Sequence, residues 1–178
     1  MAVRDVSPVS LLLRGDGEVP NNPQLEVMHY PQVLDSHDAS LASQFEALFA
    51  QHEWPPAWRN GIFDFHHFHS TAHEALGIYS GEVTVRLGGE GGVDVVLCAG
   101  DVAVLPAGVG HKQLSCVGPL GVVGAYPLGQ IADACRPDAI RFEGRVGAVR
   151  AVALPSADPV YGTDGPLMRR WKSSGSSK

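Results

Sequence analysis

Three cysteines are all the chain has, Cys98, Cys116 and Cys135, an odd number with no C-x-x-C spacing among its 178 residues. That argues against a disulfide framework or a thiolate zinc module, and the three read as small core residues of a reducing compartment. Clustered basic charge is missing too. Arg169, Arg170 and Lys172 make only a short run, and the formal net charge is −6, so neither nucleic acid nor an anionic membrane is expected as a partner. Long apolar runs are absent: the stretch from Val9 to Leu13 is broken at once by Arg14 and Gly15. No secretory signal or spanning helix is therefore expected, which leaves the cytoplasm as the expected location.

The bulk composition, 44% apolar and 18% charged, is that of an ordinary globular protein. One domain over residues 1–172 is expected, with a disordered tail at 173–178. Helical periodicity is clear once, over residues 36–53. Leu41, Phe45, Leu48 and Phe49 fall at i, i+4, i+7 and i+8, Asp38 is placed to cap, and Pro55 with Pro56 ends the pattern.

Elsewhere the chain reads as short strands. Val83, Val85 and Leu87 alternate with Glu82, Thr84 and Arg86, and Val93 to Cys98, Val102 to Leu105 and Leu120 to Tyr126 follow. Glycine turns between them indicate a β-barrel. The glycine-rich run from Gly88 to Gly92 links two strands and leads into no helix, so it is a hairpin turn rather than a phosphate loop. Past Pro127 the pattern weakens to a short helix at Gln130 to Cys135, a strand at Val146 to Leu154, and a turn-rich segment that Trp171 pins to the body.

Histidine is the concentrated residue. Four of the eight fall between His66 and His73, the run ends on Glu74, and His111 follows a Pro-Ala-Gly turn. Such a grouping reads as a metal site. Gly61 is followed after five residues by His67, then His69, then after four by Glu74 and after six by Gly81. Gly100 is followed after five by Pro106, then Gly108, with His111 after two more. These runs resemble both signature motifs of the cupin superfamily; the departure is Ser115, where the second motif usually has asparagine. The flanks, including the helix and the Gly-Ala-Tyr-Pro run at 124–127, are similar to the small bacterial YjlB-like cupins.

The aromatic-rich stretch 62–68 reads as a strand, which puts His67 and His69 on one face with Cα atoms roughly 7 Å apart. Glu74 opens a second strand, ended at Gly81, and His111 comes from a third, aimed inward by Pro106 and Gly108. The resemblance implies a jelly-roll barrel (all-β, with one flanking N-terminal helix), a single divalent metal ion per chain held by His67, His69, Glu74 and His111, and a homodimer joined through edge strands. Three neutral imidazoles and a carboxylate suit Fe, Mn, Ni or Zn alike. Affinity for any of them is expected to fall on acidification, since an imidazole must be neutral to ligate. The plainer reading of the four is a polar barrel interior without metal.

By alternation, Phe63 and Phe65 are expected to line the barrel beside His67, as are Leu76 and Ile78 beside Glu74. His66 then points to the opposite face. His73 is placed to orient Glu74, to supply a proton at the site mouth, or to replace His67 as ligand if the strand bulges. Gln113, two residues past His111, is placed either to contact a bound ligand or to satisfy a backbone group.

Similar barrels serve many chemistries. Two-domain oxalate decarboxylases and storage proteins, germin-like proteins with a signal peptide, and cupin transcription factors with a DNA-binding domain do not fit this chain. What fits is a metal-dependent dioxygenase of a small organic substrate. The alternatives are a metal-assisted isomerase or epimerase of a sugar or hydroxy acid with His73 as base, and a non-catalytic metabolite- or metal-binding barrel.

Overall fold

The computed structural model describes residues 1–174. Seven strands and three helices follow in the order β1 (Val9–Leu13), β2 (Asn22–Tyr30), α1 (Leu41–Gln51), β3 (Pro56–Asn60), β4 (Glu74–Leu87), β5 (Val93–Cys98), β6 (Val102–Leu105), β7 (His111–Ala125), α2 (Phe142–Ala151) and α3 (Pro166–Ser174). All strand pairs are antiparallel and run β1-β2-β6-β4-β7-β3, with β5 added to β4. This is the jelly roll that the motifs imply. It is not a closed barrel, because β1 and β3 end the ladder without pairing to each other.

β4 organises the sheet. Its first residues pair β6 through Glu74↔Leu105 and β7 through Ala75↔Ala125, while its second half pairs β5 and the start of β7, down to Leu87↔His111. Gly81 was expected to end this strand. Instead the strand continues through it, with φ at 77° and the register shifting on both sides, so the glycine bends β4 rather than stopping it. A Cβ there would lie 2.9 Å from the Pro119 carbonyl oxygen, so the bend needs glycine.

α1 is shorter than the sequence pattern, starting at Leu41, because Asp38 folds back to accept from the amide and hydroxyl of Ser40 instead of capping at that position. Its expected stripe of Leu41, Phe45, Leu48 and Phe49 is fully buried. Phe45 lies so close to Gly77 of β4 that a Cβ on Gly77 would meet its ring at 2.7 Å. Each such side chain stabilises the fold by roughly 1.5–3 kcal/mol on burial.

Two further helices were not expected. Val146 to Leu154 is largely helical, as α2, since Phe142, Val146 and Val149 share a helical face and Glu143 and Arg150 sit favourably at the two ends of the dipole. The expected helix at Gln130 to Cys135 is instead an irregular strap whose polar groups bond outward to residues 68–73. α3 takes in Ser173 and Ser174, and Trp171 on it is pinned as expected, its indole donating to the Glu26 carbonyl at 3.0 Å. The rest of the expected disordered tail, 175–178, lies outside the described residues. Of the cysteines, Cys135 is buried and Cys98 half-buried, but Cys116 is exposed, which corrects its assignment to the core. Among the described residues no helix is long and apolar enough to cross a membrane.

The buried carboxylate of Asp101 ties β2 to the β5–β6 turn. It accepts from His29 Nε2 at 2.9 Å, the Gln32 amide at 2.8 Å and the Cys98 amide at 3.0 Å. Burial would raise its pKa, but these donors outweigh burial and hold it below the usual carboxylate range. A depressed folded-state pKa means stability that is present above the ordinary value and lost as pH falls through the folded one. Melting temperatures of Asp101→Asn and the parent chain should therefore differ by a constant amount at neutral pH. The gap should begin to close only below about pH 4, the ordinary carboxylate value, and vanish once the pH has fallen through the lower folded-state value. Parallel curves across that range would refute this.

Candidate metal centre

Residues 61–73 do not form the expected strand. They run as an extended loop beside the start of β7, held by isolated bridges rather than a ladder: His67 and His111 exchange both backbone bonds, at 2.9 and 3.2 Å, and the Gln113 amide donates to Phe63. The loop carries His67 and His69, β4 begins on Glu74, and β7 begins on His111. Gly108, at φ 90°, turns the chain into His111; a Cβ there would collide with the Asn21 carbonyl oxygen at 2.4 Å.

The three histidines converge, with one ring nitrogen from each within 4.8 Å of the others. Each ring is oriented through Nδ1. His67 Nδ1 faces the Phe65 carbonyl at 3.3 Å, His111 Nδ1 faces that of Val109 at 3.1 Å, and His69 Nδ1 faces that of Asp133. A carbonyl only accepts, so Nδ1 carries the proton in all three and the Nε2 lone pairs are left for the centre. Glu74 lies between two of them, Oε1 at 3.4 Å from His69 Nε2 and Oε2 at 3.3 Å from His111 Nε2. Its Oε2 is buried and has no hydrogen-bond partner. An orphaned carboxylate oxygen facing oriented imidazole lone pairs is the donor set that a divalent cation satisfies, so the residues fit the ion.

Electrostatics agree. Burial, then the neighbouring His111, pushes His67 down to about 3, so its imidazole is neutral at physiological pH. Burial would lower His69 as well, but the Glu74 carboxylate and the Asp133 carbonyl outweigh it and raise the ring to about 9. Burial disfavours the charge on Glu74, yet His111 and His69 hold it well below the ordinary carboxylate range. The pocket is thus built around one buried anion that attracts a positive charge, and without a metal ion a proton on His69 fills that part.

A cavity of about 210 Å³ opens onto the cluster, walled by Trp58, Ile62, Phe63 and Leu76, with Asn60 and Tyr126 as its other polar groups. Tyr126 stands edge-on to His69, ring centres 5.5 Å apart, and its hydroxyl accepts from the Trp58 indole at 3.0 Å. Trp58 lies flat on Gly124, where a Cβ would penetrate its ring at 2.0 Å.

YjlB of Bacillus subtilis strain 168, an uncharacterized protein, is 36% identical over 156 residues, 88% of this chain and 92% of its own length. The chain belongs to the YjlB-like cupins. No family model matches it. Solved structures that resemble this YjlB-like cupin include a DUF861 family protein of Thermotoga maritima, 24% identical over 46% of this chain and 86% of that one, TM-score 0.32. Another is a cupin 2 domain-containing protein of Halorhodospira halophila, 13% identical over 84% and 83% of the two chains, TM-score 0.34.

In this YjlB-like cupin the structure brings His67, His69, Glu74 and His111 together and leaves His73 and Gln113 outside the cavity wall. His73 is fully buried: its Nδ1 accepts from the Ala107 amide at 2.9 Å, its Nε2 donates to the Ala153 carbonyl at 3.1 Å, and it packs on Trp171. Gln113 meets the site loop through its backbone amide, which donates to the Phe63 carbonyl, and it does not line the cavity. His66 does point away from His67, toward Glu90 at 3.6 Å. Phe63 lines the cavity but is 52% exposed at its mouth, and Phe65 stacks on Phe63 with Arg136 over its outer face instead of lining the wall. Leu76 lines the cavity as expected, while Ile78 lies deeper in the core. Trp58, Asn60 and Tyr126 were not singled out from sequence; Tyr126 belongs to the Gly-Ala-Tyr-Pro run, which was the available signal.

Proposed function

We propose that this chain is a mononuclear metal-binding cupin and, more finely, an oxidoreductase of dioxygenase type acting on a small organic substrate. The observation that supports it most is the convergence of three imidazoles, each oriented by an Nδ1 bond to a carbonyl, beside the unpartnered oxygen of Glu74. His67, His69, His111 and Glu74 would hold the ion, which when bound supplies Lewis acidity and open positions for substrate oxygen and dioxygen. The chain's own work lies around it. Trp58, Ile62, Phe63 and Leu76 exclude water, while Asn60 and the Tyr126 hydroxyl offer hydrogen bonds that orient a bound molecule.

The cavity sets the substrate's character. Its volume suits a molecule of few heavy atoms, its wall is mostly apolar, and no lysine or arginine lines it. An anionic group on the substrate would find its counter-charge only at the ion. Burial, then the charge of Glu74, keeps the Tyr126 phenol protonated, so it serves as a donor. The homodimer is part of the same proposal, supported by Val9 and Leu12 exposed on the end strand β1.

The test is oxygen consumption by iron-loaded protein across a panel of small acids, phenols and thiols, with metal content measured on the same sample. Uptake dependent on one member of the panel is the expected result. A fully loaded protein that consumes no oxygen with any of them would overturn the oxidoreductase reading and leave metal binding standing.

A further inference from the structure

His69 is held differently from the other two imidazoles. His67 and His111 are oriented by carbonyls two residues before them, so their ring positions are set locally. The carbonyl that orients His69 belongs to Asp133, 64 residues further along the chain. The loop bearing His69 has no strand ladder to fix it, so something must hold the Asp133 carbonyl against the ring.

The side chain of Asp133 does this. Its Oδ1 accepts from the amide of Ser70, the residue after His69, at 2.6 Å, and its Oδ2 accepts from the Ser70 hydroxyl at 2.6 Å. Oδ2 also accepts from Arg145 Nη1 on α2 at 3.1 Å, and the same guanidinium nitrogen reaches the Ser70 hydroxyl at 3.1 Å. On either side the strap is pinned to the loop by paired backbone bonds between Phe68 and Cys135, at 3.0 and 2.9 Å, and by Thr71 Oγ1 donating to Ile131 at 2.7 Å. A carboxylate accepting two short bonds from the residue after His69 leaves the loop little freedom to slide relative to the strap.

We propose that Asp133, braced by Arg145, is the positioning residue for His69: its side chain locks onto Ser70 so that its own carbonyl fixes the imidazole with Nε2 directed at the metal. The inference rests on the metal-binding reading above. The ligand loop thereby depends on the segment between β7 and α2, and removal of one carboxylate outside the cavity loosens one ligand of the four. Partners that orient metal-bound histidines typically change affinity by about 10–100-fold when lost.

The experiment uses the full chain and zinc. Affinity is read by competition with a chromophoric chelator, and the slowly exchanging ring N–H signals of the zinc-loaded protein are read by NMR. In the parent, an Nδ1–H signal is expected from each of the three ligand histidines, distinguished by assignment from the Nε2–H that His73 donates to Ala153. Asp133→Ala should lower zinc affinity about 10–100-fold and remove the His69 signal while those of His67 and His111 persist. Should that variant not fold, Ser70→Ala removes one of the two locking bonds and should broaden the same signal selectively with a smaller loss of affinity. Affinity within twofold of the parent with all three signals intact would overturn the proposal. So would loss of all three together, which marks a merely structural role. A parent chain that takes up no zinc would overturn the metal reading itself, and this inference with it.

Discussion

Glu74→Gln should lower zinc or iron affinity by more than the roughly hundredfold upper range for residues that only orient ligands, and should abolish the rise in melting temperature on adding the ion. Glutamine keeps the size of the side chain but removes the charge, and Glu74 is the sole anion among the residues lining the cavity. Three neutral imidazoles would then have to hold a divalent cation at a buried position with no compensating charge, which burial penalises heavily. The folded apo-protein should be disturbed far less than its metal binding, because the amide fills the same volume. Equilibrium dialysis with elemental analysis reads the first effect and thermal melting with and without the ion reads the second. A glutamine variant that still carries a full complement of metal after dialysis would remove Glu74 from the ligand set.

Asp158→Ala should be among the most destabilising single changes away from the metal centre, by about 3–5 kcal/mol, because buried neutral donors lose their acceptor at roughly 1–3 kcal/mol each. The side chain is fully buried and collects four donors. Tyr30 Oη donates to Oδ2 at 2.6 Å and the Leu167 amide to Oδ2 at 3.1 Å, while the amides of Val160 and Tyr161 donate to Oδ1 at 2.8 and 3.2 Å. One carboxylate thus joins β2 to the segment leading into α3. Burial, then the adjacent charge of Asp158, pushes the Tyr30 phenol far above its ordinary value, so it remains a donor at every working pH. Loss of this group should lower the melting temperature by roughly 6–20 °C for a chain of this size. Asp158→Asn should cost less, since its carbonyl oxygen still accepts from one side. Equal losses for the two variants would show that the charge, not the shape or the remaining acceptor, matters there.

The ligand set was legible because its spacing is chemical. Two histidines one residue apart, a glutamate at a strand start and a histidine after a Pro-x-Gly turn keep their meaning whatever lies between them. The apolar stripe of α1 and most of the strands were legible for the same reason, since each repeats a local period. The stretch 62–68 misled because its alternating aromatics imitate a strand, but it meets β7 at too few points to build a ladder. Gly81 misled because a glycine with positive φ marks a bulge as readily as a turn, and only the partner strand decides which. Asp133 was invisible: its importance lies in bonds to Ser70 and Arg145 across long separations, which leave no pattern in the sequence. Nor could sequence show that His73, beside Glu74 in the chain, spends both ring nitrogens on backbone groups away from the cavity.

The order of strands across the sheet bears on how the protein comes into being during translation. β2 finds its inner neighbour only in β6, and Glu74 of β4 meets its cross-strand partner Leu105 on that same late segment. A nascent chain halted after His69 and Glu74 would hold both side chains, yet neither the strands that flank them nor His111. The four side chains can converge only once β7 has begun with His111, so the centre is among the last features of the fold to form, after the long-range pairings of β4 are in place.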